Sequence, residues 1–418
     1  MTPRHASPSR PRAVRHARRL RSHGILRSVA IVATAVLAFG AAGAAAVYTR
    51  IQGNIDAVDI SDLVGPAPES TTTHDPDDPY AGQEVNILIM GSDERDGENA
   101  AIGGSVDGMR SDTTIVVHIS ADRQRIDLVS IPRDSLVDIP SCTMTDGSTS
   151  KAQQSAMFNS AFAIGADQGG NVESAAACTI KTVQANTGLT IPYFVVVDFA
   201  GFIRMVDALG GVPICIANDM TSPKAGLYLT AGKQTLDGST ALAFARARTG
   251  TGVGDGSDTN RLGRQQELIA ATVREVLSKN LLTDIPQLIR FLDAATESIT
   301  ADQYLGSITN LAGLGYSLRS ISTSNITFRT IPFATAPNDP NRVVWTPDAD
   351  QIWSNMVQDV PLDTPVGGTP TAPDTTTPGT TATTDPTVPD TTATTPAAGT
   401  KEPGKEAFTA NDETAVCG

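Results

Sequence analysis

Residues 28–47 carry no charge and are mostly Ala, Val, Leu and Gly, and this run limits what the chain can fold into more than any other feature. About 20 apolar residues wound as a helix reach about 30 Å, the thickness of the bilayer hydrocarbon. The 27 residues before the run hold eight arginines and no acid. A cleaved signal peptide is the competing reading, since Ala-Ala-Gly-Ala-Ala-Ala offers a cleavage site. The run is long for a signal core, so an uncleaved single-pass anchor over residues 28–48 is expected. Arginine flanks stay in the cytoplasm. Residues 1–27 then form a basic cytoplasmic N-terminus, and everything after the anchor is extracytoplasmic.

Beyond residue 50 the remaining 22 basic residues face all 45 acids, a formal net charge of −23. Phosphate backbones need a basic footprint, so nucleic acid is excluded as the main partner. Any local arginine cluster stands out against this background. Cys142, Cys178, Cys215 and Cys417 all follow the anchor, where an even count suggests two disulfides. Three connectivities exist, and the expected one is Cys142–Cys178 with Cys215–Cys417.

Residues 49–83 are polar and rich in Pro, Asp and Thr, and are expected to form a linker. A folded domain is expected over 84–360. Strand patterns fall at Glu84–Met90, Thr113–Ser120, Arg125–Pro132, Pro192–Asp198, Gly211–Ile216, Leu242–Arg248 and Ile326–Phe333. Helical patterns fall at Ala156–Ala166, Val172–Thr187, Phe199–Leu209, Leu262–Asn280, Pro286–Ala295 and Ala301–Leu318. Several strands are unbroken apolar runs, which predicts an α/β domain whose sheet is covered on both faces. Residues 361–405 are Thr, Pro, Ala and Asp and cannot bury a core, so a disordered tail is expected. Residues 406–418 follow, with Cys417 available to pin them.

Polar residues gather at the expected strand ends, where α/β folds place ligands. Asp93 follows the first strand, Asp112 precedes the second, and Arg133-Asp134 ends the third. If Leu242–Arg248 is a strand, Arg246 and Arg248 share a face roughly 7 Å apart, about the span of a pyrophosphate. Arg261, Arg264 and Gln265 share one face of the following helix near its N-terminus, an end that favours anions. Asp93 and Asp112 are the best ligands for Mg²⁺, with Mn²⁺ as an alternative, because hard cations take carboxylates and fill their shell with phosphate oxygens and water. Read separately, each of these residues is an ordinary turn or ion-pair residue. Their collection at strand ends argues for a site.

Other chemistries lack their residues. Only His74 and His118 lie beyond the anchor, and His118 falls within a strand pattern, so a Ser-His-Asp hydrolase or a His-rich zinc site is excluded. No Walker A motif or dinucleotide fingerprint is present. Paired-carboxylate glycosidase chemistry would not call for so many arginines.

The chain resembles the LytR-CpsA-Psr family of Gram-positive cell-wall enzymes from about Val85 to Lys279. The resemblance rests on Gly-Ser-Asp93-Glu-Arg, Arg110-Ser-Asp112-Thr-Thr, Ser-Ile-Pro-Arg133-Asp, Asp198-Phe-Ala-Gly-Phe, Asp207-Ala-Leu-Gly-Gly-Val, Ala-Phe-Ala-Arg246-Ala-Arg248 and Asp258…Arg261-Leu-Gly-Arg264-Gln265-Gln266. It implies a three-layer α/β/α domain with a mixed central sheet. It also implies transfer of a glycopolymer from an undecaprenyl-pyrophosphate carrier to a peptidoglycan hydroxyl, with a phosphodiester product. By motif, Asp93 and Asp112 hold Mg²⁺, while Arg133, Arg246, Arg248, Arg261 and Gln265 bind pyrophosphate. Arg264 joins that set through its shared face, and Asp112, Arg133, Arg246 and Arg248 are the expected catalytic residues. The general base is Asp112 or Asp134. The family's usual Lys-Ile-Asn element is replaced by Met157-Phe158-Asn159, and Lys151 is the nearest substitute. An isoprenoid carrier predicts an apolar tunnel, for which Phe158, Phe162, Phe202 and Ile203 are candidates, although such stripes usually pack the interior. Two alternatives stay open on these residues: a hydrolase of the same lipid-linked glycan, and a non-catalytic polymer-binding surface protein.

Overall fold

The computed structural model describes residues 21–65, 82–93, 99, 102, 108–254, 258–278, 285–297, 299–365, 400–412 and 414. Residues 1–50 and 51–418 form two separate compact units. Helix α1 (Arg21–Asn54) begins in the first and carries the apolar run, and its stretch from Arg27 is long and apolar enough to cross a membrane, with its most apolar 18 residues unburied.

The second unit is built on an eight-stranded mixed sheet in the order β1-β12-β7-β2-β3-β4-β13-β16. Its centre is an antiparallel meander of β2 (Val85–Ser92), β3 (Ser111–Ile119) and β4 (Ile126–Ile131). Strand β7 (Tyr193–Val197) lies parallel to β2, and β13 (Ile326–Thr330) lies parallel to β4. Alternation divides each central strand between two cores. Leu88, Met90, Val116 and Val129 face α3 (Ser160–Gly169), α4 (Val172–Thr187) and α10 (Pro347–Val357), which supply Phe162, Ile180, Trp353 and Met356. Ile87, Ile115, Val117 and Leu128 face the opposite layer, where α7 (Asp258–Ser278) and α9 (Ile308–Ser317) contribute Ala270 and Leu314. Both faces are therefore covered, giving three α/β/α layers. A third core unites α5 (Phe199–Ala208), α6 (Gly238–Arg246) and the hairpin of β8 (Val212–Ile216) with β11 (Gly232–Leu236) beside α7. Strand β8 thus forms where expected but pairs outside the main sheet.

The expected linker over 49–83 is corrected at its start. Strand β1 (Asp56–Val58) runs parallel to β12 (Ile299–Asp302) at one sheet edge, and Ile51, Ile55 and Ile60 are buried. Those isoleucines, spread through a polar segment, each reach an apolar seat and hold the chain to the domain. Residues 66–81 lie outside the described residues. The helix expected over Ala301–Leu318 is also shorter, because β12 claims its first residues by pairing antiparallel with β7. The pattern expected as a helix from Ala156 begins as β6 (Gln153–Met157), paired with β5 (Leu136–Ile139), and turns helical only at Ser160.

Cys142 and Cys178 form a disulfide that ties the loop after β5 to α4 across 36 residues of chain. Loop-closure entropy predicts that Cys142→Ala with Cys178→Ala lowers stability by about 4 kcal/mol. Urea midpoints of the double variant and the oxidised parent measure this. Cys215 is also disulfide-bonded, while the expected partner Cys417 lies outside the described residues.

The other sheet edge corrects the tail. The bulk of the expected 361–405 tail, residues 366–399, lies outside the described residues, and the described chain resumes at residue 400. Strand β16 (Phe408–Thr409) pairs antiparallel with β13, and Phe408 is buried with its ring 5.1 Å from that of Phe328. The backbone of Gly263 in α7 lies so close to the Pro403 carbonyl that a Cβ there would collide with it. The segment is thus a strap across α7, held by a large aromatic as well as by any disulfide. Phe408→Ala is expected to cost about 3 kcal/mol through the cavity it leaves, read as a lower denaturation midpoint.

Candidate active site

The ends of β2, β3 and β4 bring Asp93, Asp112 and Arg133 to one end of the sheet, because Ser92 pairs with Ser111 and Thr114 with Ile131. Asp112 is the hub. Its Oδ1 accepts from Arg133 Nη1 at 2.8 Å, and its Oδ2 accepts from Arg248 Nη2 at 2.9 Å. Arg261 Nη1 lies 3.6 Å from the same Oδ2. Asp258 Oδ1 accepts from Arg261 Nε at 2.9 Å and lies 3.7 Å from Arg133 Nε. Asp134 Oδ2 is 3.5 Å from Arg133 Nε, and Arg342 Nη1 is 3.9 Å from Asp134 Oδ1.

The electrostatics favour an added anion. Burial pushes the Asp112 carboxyl up, but Arg261, Arg133 and Arg248 outweigh it and hold it below the usual carboxylate range. Arg248 is pushed down by burial and by the like charges of Arg261 and Arg133. Arg133, in contrast, is pulled up by Asp112, Asp134 and Asp258 against the effect of its own burial. Arg133 is thus well matched by carboxylates, whereas Arg248 stands among like charges and is the guanidinium that an added anion would most relieve. Three buried polar atoms around this cluster have no hydrogen-bond partner among the described residues: Arg133 Nε, Asp258 Oδ2 and Gln265 Oε1. Buried polar atoms are normally satisfied, so orphans here mark a place for a ligand.

The paired arginines do not share a strand face. Their segment is helix α6, started by the Asp237 carboxylate accepting from Thr240 N at 2.8 Å, and its alanines and leucine favour helix over strand. The helix ends at Arg246, and Ala247 turns to an extended conformation, which sends the two guanidiniums different ways. Arg248 reaches Asp112, whereas Arg246 lies over the Phe199 ring at 4.5 Å. Arg246 also lines a cavity of about 330 Å³ with Ile102, Ile203, Leu242 and Ala243. Of the residues expected to line a tunnel, Ile203 lines this cavity, Phe202 packs against the third core, and Phe158 and Phe162 belong to the main core.

Arg264 is corrected more fully. Its Nε donates to Phe244 O at 3.1 Å, its Nη1 to Val253 O at 2.6 Å, and its Nη2 to Ala247 O. It faces backbone rather than the anion cradle, and burial with Arg261 nearby pushes it down to about 10. Gln265 stays beside the cradle, its Nε2 donating to Ala245 O at 3.4 Å and its Oε1 unpartnered. Lys151 is exposed in the turn before β6. Asp258 is the functional residue whose role the motif reading missed. Its signal was the Asp-x-x-Arg spacing, which places it on the Arg261 face.

Asp93 and Asp112 have the donor chemistry that a hard cation takes, with both oxygens of Asp112 here engaged by arginines. Asp93 N donates to Arg110 O at 2.9 Å, and Asp93 Oδ1 accepts from Arg110 N at 2.7 Å, two residues before Asp112. Among the described residues no group of three or more His, Cys, Asp or Glu collects to hold a metal alone. Ligand oxygens and water must complete such a shell.

Cell wall biosynthesis protein LcpA of Corynebacterium glutamicum is 28% identical over 64% of this chain and 54% of its own length. A polyisoprenyl-teichoic acid–peptidoglycan teichoic acid transferase, TagU of Oceanobacillus iheyensis, is 30% identical over 55% of this chain and 63% of its own length. The chain thus spans about half to two thirds of the length of these relatives. Protein gbs0355 of Streptococcus agalactiae, known from its crystal structure, shares the fold at a TM-score of 0.50 and 22% identity, covering 67% of this chain and 88% of that one. The family model LytR_cpsA_psr matches residues 47–358, which include β1, the third core, most of the other two and every residue of the arginine cradle, and the chain belongs to that family.

Proposed function

We propose that this protein transfers a glycopolymer from a polyprenyl-pyrophosphate carrier to a peptidoglycan hydroxyl, forming a phosphodiester bond. The observation that carries this reading is the convergence of Arg133, Arg248 and Arg261 on Asp112, with buried polar atoms that lack a hydrogen-bond partner among the described residues, together with a cavity that has Arg246 at its wall. The names of the relatives, a cell wall biosynthesis protein and a teichoic acid transferase, support the class of polymer and acceptor.

The residue chemistry runs as follows. Arg133, Arg248 and Arg261 turn from Asp112 to the pyrophosphate oxygens and fix them, which aligns the phosphorus that bears the glycan. The acceptor oxygen bonds to that phosphorus as the bond to the polyprenyl-phosphate oxygen breaks. Asp134, which lies at the Arg133 end of the cradle and is not one of the residues assigned to the cation, takes the hydroxyl proton. Arg246 stabilises the departing polyprenyl phosphate, whose chain lies along Ile203 and Leu242 in the cavity. Asp93 and Asp112 would hold Mg²⁺ or Mn²⁺, which supplies further neutralisation of phosphate charge. The arginine-rich N-terminus stays in the cytoplasm and the domain acts outside the membrane.

The test is mass spectrometry on the full chain in detergent, given a synthetic polyprenyl-pyrophosphate oligosaccharide, a peptidoglycan oligomer and Mg²⁺. A glycan joined to the oligomer through phosphate, absent with EDTA and in Arg248→Ala, is the expected result. Polyprenyl phosphate released without ligation would move the reading to a hydrolase, and no turnover with a folded chain would reject catalysis.

A further inference from the structure

We infer that Arg264 is a positioning residue that sets the Arg248 side chain for the pyrophosphate by clamping both ends of the segment that carries it. The inference rests on the proposed donor for its ligand, though not for its geometry.

Helix α6 ends without a glycine cap. Ala247 is its C-cap, in an extended conformation, and among the described residues only the Ala243 carbonyl is met by a backbone donor there, Ala247 N at 2.9 Å. The following carbonyls need side-chain partners or water. Arg264 supplies them from the neighbouring helix α7. Its Nε takes Phe244 O and its Nη2 takes Ala247 O, while Nη1 reaches on to Val253 O. All three nitrogens of one rigid plane are thus spent on three carbonyls that bracket Arg248. The residue is 8% exposed, and a cation at a helix C-terminus also complements the helix dipole.

The loop between those carbonyls is pressed from its other side. Ser222 Oγ donates to Thr249 O at 2.7 Å, and Thr221 N donates to Thr251 O at 2.9 Å. Gly250, at φ +143°, lies where a Cβ would collide with the Thr221 carbonyl. Residues 247–253 are therefore held between Arg264 and β9 (Met220–Ser222), with Arg248 as the side chain that leaves the segment for Asp112. Lysine at 264 keeps the charge but cannot span three carbonyls, since its three donors sit on one atom. A displacement of about 1 Å in a positioned charged group is enough to cost a large factor in binding or rate.

The experiment uses the full chain in detergent with geranyl pyrophosphate as probe. Affinity is measured by calorimetry for the parent, Arg264→Lys, Arg248→Ala and the double variant, and amide exchange is followed over residues 247–253. Arg264→Lys is expected to weaken binding about tenfold in the parent and to change it less than twofold once Arg248 is gone, with faster exchange across 247–253. An equal loss in both backgrounds would show that Arg264 acts without Arg248 and would overturn the inference. So would unchanged exchange. If the parent itself fails to bind the probe, the donor reading fails, and the exchange result alone decides the clamp. Arg264→Gln serves if the lysine variant does not fold.

Discussion

Asp112→Asn is expected to cut glycopolymer transfer about a thousandfold and, in the same protein, to tighten binding of inorganic pyrophosphate in EDTA. Asp112 is the internal anion of the cradle, accepting from Arg133 and Arg248 and lying 3.6 Å from Arg261. Pyrophosphate must displace it, so an uncharged amide competes less well for the guanidiniums. The same change removes a cation ligand and the charge that orders three arginines, and losing a preorganised electrostatic group costs roughly two to three orders of magnitude in turnover. Turnover from the product assay and affinity from calorimetry measure the two halves. Weaker pyrophosphate binding would sink the displacement argument. The pH dependence has a definite sign. A carboxyl held below its ordinary value adds stability above about pH 4, and that stability is lost as pH falls through the lowered folded value. The substitution should flatten this acid limb.

Arg261→Met should lower stability by about 3 kcal/mol and abolish turnover. Arg261 is 2% exposed, and its Nε and Nη2 both donate to Asp258 Oδ1. Methionine replaces part of the stem but leaves Asp258 half-enclosed with no cation in hydrogen-bond contact, the situation in which a broken ion pair costs most. Arg261→Lys should lie between, because a point charge cannot fork onto one carboxylate while facing a second. Denaturant midpoints and the product assay check both variants. A methionine variant as stable as the parent would mean that Asp258 finds another donor, and the cradle would have to be redrawn.

Much of the architecture was legible because burial is a local pattern. Strands β2, β3, β4, β7 and β13 read as apolar runs, and their alternating side chains do divide between two cores. The Leu242–Arg248 segment misled because Leu, Ala, Phe, Ala, Arg alternates well enough for a strand, yet it is equally short enough for a helix. Asp237, one turn upstream, resolves it by capping the helix. The isoleucines at 51, 55 and 60 and Phe408 were hidden inside polar, Pro- and Thr-rich surroundings, where composition averages away single anchors.

The site divides in the same way. Sequence by itself determined the apolar membrane-length run, the doubly covered sheet and the gathering of Asp93, Asp112 and Arg133 at strand ends, while the structure chose Cys142–Cys178 among three possible connectivities. Only the tertiary structure decided that Arg246 and Arg248 part company, that Arg264 serves backbone carbonyls, and that Asp112 is shared among arginines from positions 133, 248 and 261. Residue type and periodicity are properties of a few neighbours along the chain. The partner of a guanidinium more than a hundred residues away is chosen by how helices seat against a sheet, and that choice is made by packing.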